Sequence, residues 1–386
     1  MDMREMTGIK TTLIAIIAMY ATAMLHAEEI GKEMKSNLQS VEDVKVMRDE
    51  SVVFCKDLQP HSANLLFAPT KIIKVQRANR SQVYKEGVDF ILKGRTLTLT
   101  KGSRIPVLKY FSEARDDSVY RFKEPDGFIY SPGGVTKHND YDIEVTYEYR
   151  KGNYADLFRG CARSDALTVC KKLAASKPVT ICFFGDSITV GAQASGALPV
   201  KAKPQRDGYP RLVFNALQKK YPDADMKYFN KAVGGKETTW GLSNMPAIVD
   251  ANPDLLVLAF GMNDGSKSSK AYLQNTREMV ATVRKKNPDV SILLVAEFSP
   301  NPNLGLAKYT LRKENRDGLF AMQKELKNCA VVDVGVVSRA MVERKKFCDL
   351  SGNNVNHPND FLHQVYADAA FRALVLGERQ KRATSN

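Results

Sequence analysis

Residues 179–191, VTICFFGDSITVG, decide how the chain is read. Val179, Ile181, Phe183 and Phe184 make an apolar, partly β-branched run, the pattern of a strand covered on both faces. Gly185-Asp186-Ser187 follows as a tight turn, because all three residues favour turns. In open α/β sheets ligand chemistry gathers at the carboxyl edge of the strands. A serine hydroxyl at that edge is a candidate nucleophile.

Three later blocks follow a similar pattern. Asn230 to Gly235 (NKAVGG) puts Gly234 after a second apolar run, and Gly261-Met262-Asn263-Asp264 follows a third, Leu255 to Phe260. Asn356-His357-Pro358-Asn359 stands near the C-terminus. Each has a plain reading alone: Gly234-Gly235 as a turn, Asn263 as a helix cap, His357-Pro358 as the entry to a last helix. In this order the four blocks resemble the SGNH (GDSL-like) hydrolase superfamily, over roughly Lys177 to Gly377.

That resemblance implies Ser187 as nucleophile and His357 as base. It implies an oxyanion hole made of the Ser187 amide, the Gly234 amide and the Asn263 side chain. The residue types suit these jobs, since glycine lets a backbone N–H approach a ligand closely and an asparagine amide is a neutral donor. One position departs from the family pattern. Many members carry an aspartate three residues before the histidine, where this chain has Asn354. An amide can orient an imidazole but offers no charge to an imidazolium, so Asn354 is expected to orient His357 in a Ser-His dyad. Asp349, Glu297 and Asp360 are the alternative carboxylates. Asp186, Trp240, Glu297 and Asn301 are candidate substrate contacts, with a core position opening a helix as the other reading of Trp240. His363, on the final helix, reads as structural.

Outward from these blocks, residues 179–386 alternate strand and helix, which predicts an α/β doubly wound parallel sheet. The resemblance adds a five-stranded, flavodoxin-like order. Strands are expected at Val179–Phe184, Lys227–Val233, Leu255–Phe260, Val290–Ala296 and Ala330–Val334. Helices are expected at Pro210–Lys220, Thr238–Asp250, Ser269–Lys286, Leu311–Leu326 and Phe361–Leu376. Residues 51–150 instead carry short β-rich runs between turn signals, which predict a small all-β sandwich or jelly-roll domain with a hairpin at Lys93-Gly94. Tyr110, Phe111, Tyr120, Phe122, Phe128 and Tyr130 in it form either core or a sugar-stacking surface. Residues 151–178 read as a linker helix and 28–50 as a polar segment. Residues 1–27 have the basic start, short apolar run and small cleavage-site residue of a signal peptide cut near Ala27. The run is shorter than the ~20 residues of a membrane span. A secreted or periplasmic protein without a stable membrane anchor is expected.

The 386 residues include 57 Lys and Arg against 43 Asp and Glu, a formal charge of +14. The basic residues are scattered and accompany no nucleic-acid-binding motif, so no nucleic-acid partner is expected, while an anionic glycan would be favoured. The histidines are dispersed and neither HExxH nor paired CxxC occurs, so neither metal nor other cofactor is expected. Of the six cysteines, Cys161 and Cys170 are near enough in sequence to staple the linker, and Cys182 reads as a small buried residue. Spacing does not give the pairing, and nothing in the chain gives the oligomeric state. These observations favour an exported serine esterase removing O-acetyl or other short acyl groups from carbohydrate. The alternatives are a lipase, lysophospholipase or thioesterase of the same superfamily, or an inactive glycan-binding protein on a hydrolase fold.

Overall fold

The structure is a computed structural model and describes residues 44–55, 61–108, 122–123, 129–130, 141–158, 167–197, 203–301 and 313–375. The expected signal peptide, most of the polar segment after it, Cys161, and the aromatics Tyr110, Phe111, Tyr120 and Phe128 lie outside the described residues.

The first part of the chain is mostly antiparallel, with one short parallel pair, Phe54–Cys55 against Val107–Leu108. Its strands are β1 (Lys45–Val52), β2 (Phe54–Cys55), β3 (Ser62–Asn64), β4 (Pro69–Arg77), β5 (Val83–Tyr84), β6 (Phe90–Lys93), β7 (Thr96–Leu99), β8 (Val107–Leu108), β9 (Phe122–Lys123), β10 (Ile129–Tyr130) and β11 (Ile143–Tyr149). The larger sheet runs β1-β11-β4-β5, and a three-stranded one runs β3-β7-β6. The hairpin falls where expected: Lys93 pairs with Thr96 across Gly94, whose φ of +61° favours glycine. Strand β11 alternates in sequence, yet both of its faces are buried. Its apolar face (Ile143, Val145, Tyr147) joins the main core, and its other face carries Glu144, ion-paired to Arg80 and Arg206.

Helix α1 (Thr168–Ala174) buries Val169, Cys170 and Leu173. The Thr168 and Val169 amides donate to Asn328 Oδ1 and Ser291 Oγ, which ties the helix to the next part of the chain. That part holds β12 (Val179–Gly185), β13 (Met226–Asn230), β14 (Leu255–Ala259), β15 (Ser291–Ala296) and β16 (Cys329–Asp333), all parallel in the order β13-β12-β14-β15-β16. This is the five-stranded flavodoxin-like sheet. The helices are α2 (Ser187–Val190), α3 (Tyr209–Lys220), α4 (Thr238–Ser243), α5 (Met245–Ala251), α6 (Ser269–Lys286), α7 (Lys313–Glu325), α8 (Val334–Val342) and α9 (Asp360–Val375). Alternate strand residues feed two cores. Ile181, Phe183, Val257 and Leu293 pack with α3 and α9, and Cys182, Phe184, Leu256 and Leu294 pack with α5, α6 and α7.

Two elements differ from expectation. The helix expected over Thr238–Asp250 is two, broken at Asn244, because Pro246 has no N–H to donate and instead sits in the first turn of α5. Helix α8 was not expected. The strand expected to run to Val334 ends at Asp333, whose side chain caps the Val336 amide and starts a helix there.

Candidate active site

Gly185 ends β12 where the backbone of β14 crowds it. A Cβ at Gly185 would sit 2.2 Å from the Ala259 carbonyl oxygen, so only glycine fits. Asp186 is fully buried, and its Oδ1 accepts the Ile188 amide at 3.0 Å, capping α2. Ser187 is thereby fixed at the start of α2, half-buried, at the carboxyl edge of the sheet. Its Oγ lies 2.9 Å from His357 Nε2.

The loops after β13 and β14 come to the same edge. Lys231 and Val233 amides donate to the Phe183 and Gly185 carbonyls, extending the β12 pairing past the end of β13. A Cβ at Gly234 would lie 3.8 Å from the Ser187 Cβ, and Gly234 and Gly235 are exposed. Asn263 Nδ2 donates to the Lys236 carbonyl at 3.1 Å, binding one loop to the other and leaving the second amide hydrogen for another acceptor. Among the described residues, no group of three or more His, Cys, Asp and Glu is placed to hold a metal ion.

Residues 183–365 match the model of the GDSL-like Lipase/Acylhydrolase family. This part of the chain is a GDSL-like lipase/acylhydrolase domain. Comparison with curated proteins found no match. Among solved structures the chain is similar to a two-domain esterase (CEX) active on acetylated mannans, at 20% identity and a TM-score of 0.47. The likeness covers 57% of this chain and 56% of that one, so it spans little more than half of that esterase. It is also similar to an acetylxylan esterase (Axe2) from Geobacillus stearothermophilus, at 20% identity, 51% of this chain, 94% of that chain and a TM-score of 0.42.

In the acylhydrolase domain the side chain facing the imidazole is Asn353, not the expected Asn354. Asn353 Nδ2 lies 3.2 Å from His357 Nδ1. Its Oδ1 accepts the amides of Val355, Asn356 and His357, each at 3.0 Å, and these three donors fix which end of the amide faces the ring. Asn354 has a left-handed backbone (φ +54°), and its carbonyl accepts from Asn301 Nδ2 at 2.9 Å. The preference for a spacing of three pointed one residue too late. The Asn-Asn pair in the sequence was the available signal.

None of the candidate carboxylates reaches the ring. Asp349 accepts the Val53 and Lys346 amides, and Asp360 accepts the Ser195 amide. Glu297 Oε2 accepts the Met262 amide at 2.8 Å. Burial, with a smaller contribution from His363, pushes the His357 imidazole down to about 4. His363 is structural in its contacts: Nε2 meets the Ala192 carbonyl at 3.0 Å and Nδ1 accepts the Tyr209 amide.

The four expected substrate contacts are placed differently from that expectation. Asp186 and Glu297 are buried and hydrogen-bonded to each other, which requires one proton between their otherwise unpaired oxygens Oδ2 and Oε1. Burial raises both, Asp186 to about 7. Asn301 is buried and braces the His357 loop, its own amide donating to the Val355 carbonyl. Trp240 packs on Phe184, ring centroids 5.6 Å apart, as part of the core under α4, with Lys236 Nζ 5.8 Å from its ring. Short polar residues after a strand look alike in sequence whether they face solvent or bind backbone, so burial separated them only in three dimensions.

Proposed function

We propose that the protein is a serine esterase that removes O-acetyl or other short acyl groups from carbohydrate. The observation that carries this is the 2.9 Å contact of Ser187 Oγ with His357 Nε2 beside Gly234, whose loop Asn263 holds through the Lys236 carbonyl. In this reading Ser187 attacks the ester carbonyl, and His357 takes its proton and returns it to the leaving alcohol. The Ser187 and Gly234 amides and the Asn263 side chain hold the oxyanion. The exposed glycine loop beside a half-buried serine suits an ester carried on a bulky polymer. The charge of +14 suits an anionic glycan. Such a substrate and the expected signal peptide both fit action outside the cytoplasm, and no helix among the described residues is long and apolar enough to cross a membrane.

Asn353 favours a second reading, a glycan-binding protein with little or no turnover, because an amide N–H aimed at Nδ1 opposes protonation of the imidazole. Acetate release from a panel of acetylated polysaccharides and from a simple acetyl ester, compared with Ser187→Ala, separates the two. Release that disappears in the variant supports the esterase. Glycan binding without release by either protein favours the second reading and overturns the first.

A further inference from the structure

A cavity of about 330 Å³ opens at the carboxyl ends of β15 and β16, away from Ser187. It lies within the size range of small-ligand sites. Its apolar wall is Tyr272 and Leu319, and its polar wall includes Asn315, Arg316, Asp333 and Arg339. The hydroxyl of Tyr272 is taken by the Phe260 carbonyl, so this residue presents carbon to the cavity.

The polar groups are unevenly used. Asn315 is only 5% exposed, yet its Oδ1 has no hydrogen-bond partner. Buried carbonyl oxygens are rarely left unpaired, because they lose water without replacing it. Arg316 is committed to Asp333 and Asp317. Arg339 donates from Nη1 to Ser299 Oγ at 3.2 Å, one use of a group that carries five N–H donors. The cavity therefore offers an unfilled acceptor, surplus donors and an apolar face, which together match a polyhydroxylated ring.

We propose that this cavity is a carbohydrate subsite, binding a sugar ring of the same chain whose ester is presented to Ser187. The inference rests on the esterase reading above and adds where the glycan runs. Strands β12 and β15 are separated by β14, with β16 one place further, so the cavity lies roughly 10–14 Å along the sheet edge from the nucleophile. That is too far for the acetylated ring itself and within reach of another ring. Glu297 forms part of both regions: it lines the cavity and binds Asp186 and the Met262 amide beside Asn263.

The test uses the full chain with Asn315→Leu and Arg339→Gln. Leucine removes the unpaired carbonyl and keeps the volume, so this variant should unfold no earlier than the parent. On acetylated gluco-, manno- and xylo-oligosaccharides of increasing length, kcat/KM for the preferred series should fall at least tenfold in both variants, through KM. Hydrolysis of a simple acetyl ester should stay within twofold. An equal loss on both substrates, or no loss on any oligosaccharide the parent cleaves, overturns the subsite. If the parent cleaves neither substrate, the esterase reading fails by itself. Calorimetric titration of Ser187→Ala with the same oligosaccharides, deacetylated, then decides the subsite: binding lost on adding Asn315→Leu supports it, and binding that persists or is absent overturns it.

Discussion

At the scale of single residues, the environment of His357 sets what the site can do. With Nδ1 accepting from Asn353, the proton of the neutral imidazole sits on Nε2 and points to Ser187, the tautomer opposite to the one a base needs. A carboxylate at this position would keep the three backbone donors and accept Nδ1–H. Asn353→Asp should therefore raise kcat/KM on an acetyl ester by tenfold or more, in the direction of the ~10⁴ lost when a serine protease triad makes the reverse exchange. A variant no faster than the parent would show that the tautomer does not limit turnover. Asn354→Ala should cost far less than His357→Ala, since Asn354 touches Asn301 and not the ring. The pH dependence follows from burial of the ring. The reactive form is neutral imidazole, and its protonation is displaced from 6.5 down to about 4, so activity should be level from about pH 5 to 7 and fall as pH drops through about 4. A profile falling already below pH 6.5 would mean that the ring is solvated in the working enzyme.

At the scale of elements, the turn from β12 into α2 carries the site. Gly185 leaves no room for a methyl group against the Ala259 carbonyl and Thr189 Oγ1. Gly185→Ala should destabilise the protein by about 3 kcal/mol in urea unfolding and displace Ser187. A folded variant with unchanged esterase activity would show that the neighbouring strand yields. This turn was legible because glycine, aspartate and serine each have local reasons to be there. Helix α8 and the break between α4 and α5 were less so. A β-branched run after a strand is ambiguous until a cap such as Asp333 is in place, and the hydrophobic period continues across Pro246 although the hydrogen bonds do not.

At the scale of the whole molecule, the antiparallel region braces the loop that presents His357. Lys345 and Glu50 form a fully buried ion pair at 2.6 Å, and Glu50 also accepts from Leu66 N and Tyr147 OH. Val53 N donates to Asp349, and Asn359 Nδ2 donates to Ser51 Oγ. One core contains Val52, Val145 and Tyr147 together with Val332, Leu350 and Phe361. Glu50→Gln leaves the Lys345 charge buried without its partner, and a loss of about 3–5 kcal/mol in denaturant unfolding is expected. A loss below 1 kcal/mol would show the pair to be dispensable. Cys55 and Cys348 are buried and hydrogen-bonded to each other across the same junction. Refolding with oxidised glutathione, which takes up the two electrons as it is reduced to thiol, should join them and stabilise the protein by about 2–4 kcal/mol. Peptide mapping that finds both thiols free after this treatment would exclude the bond.

The sequence by itself determined the alternation of strand and helix behind the parallel sheet, and its resemblance to a known family pointed to Ser187 and His357 as partners. Hydrophobic runs and turn residues act locally, and four blocks in register restrict one another. Only the tertiary structure decided that Asn353 and not Asn354 meets the imidazole, that Glu297 and Asn301 are buried supports while Trp240 packs half-buried against the core, and that the antiparallel sheets share a core with the hydrolase domain. Each of these depends on which side of a backbone a side chain leaves and on what another part of the chain places against it. Residue spacing carries neither.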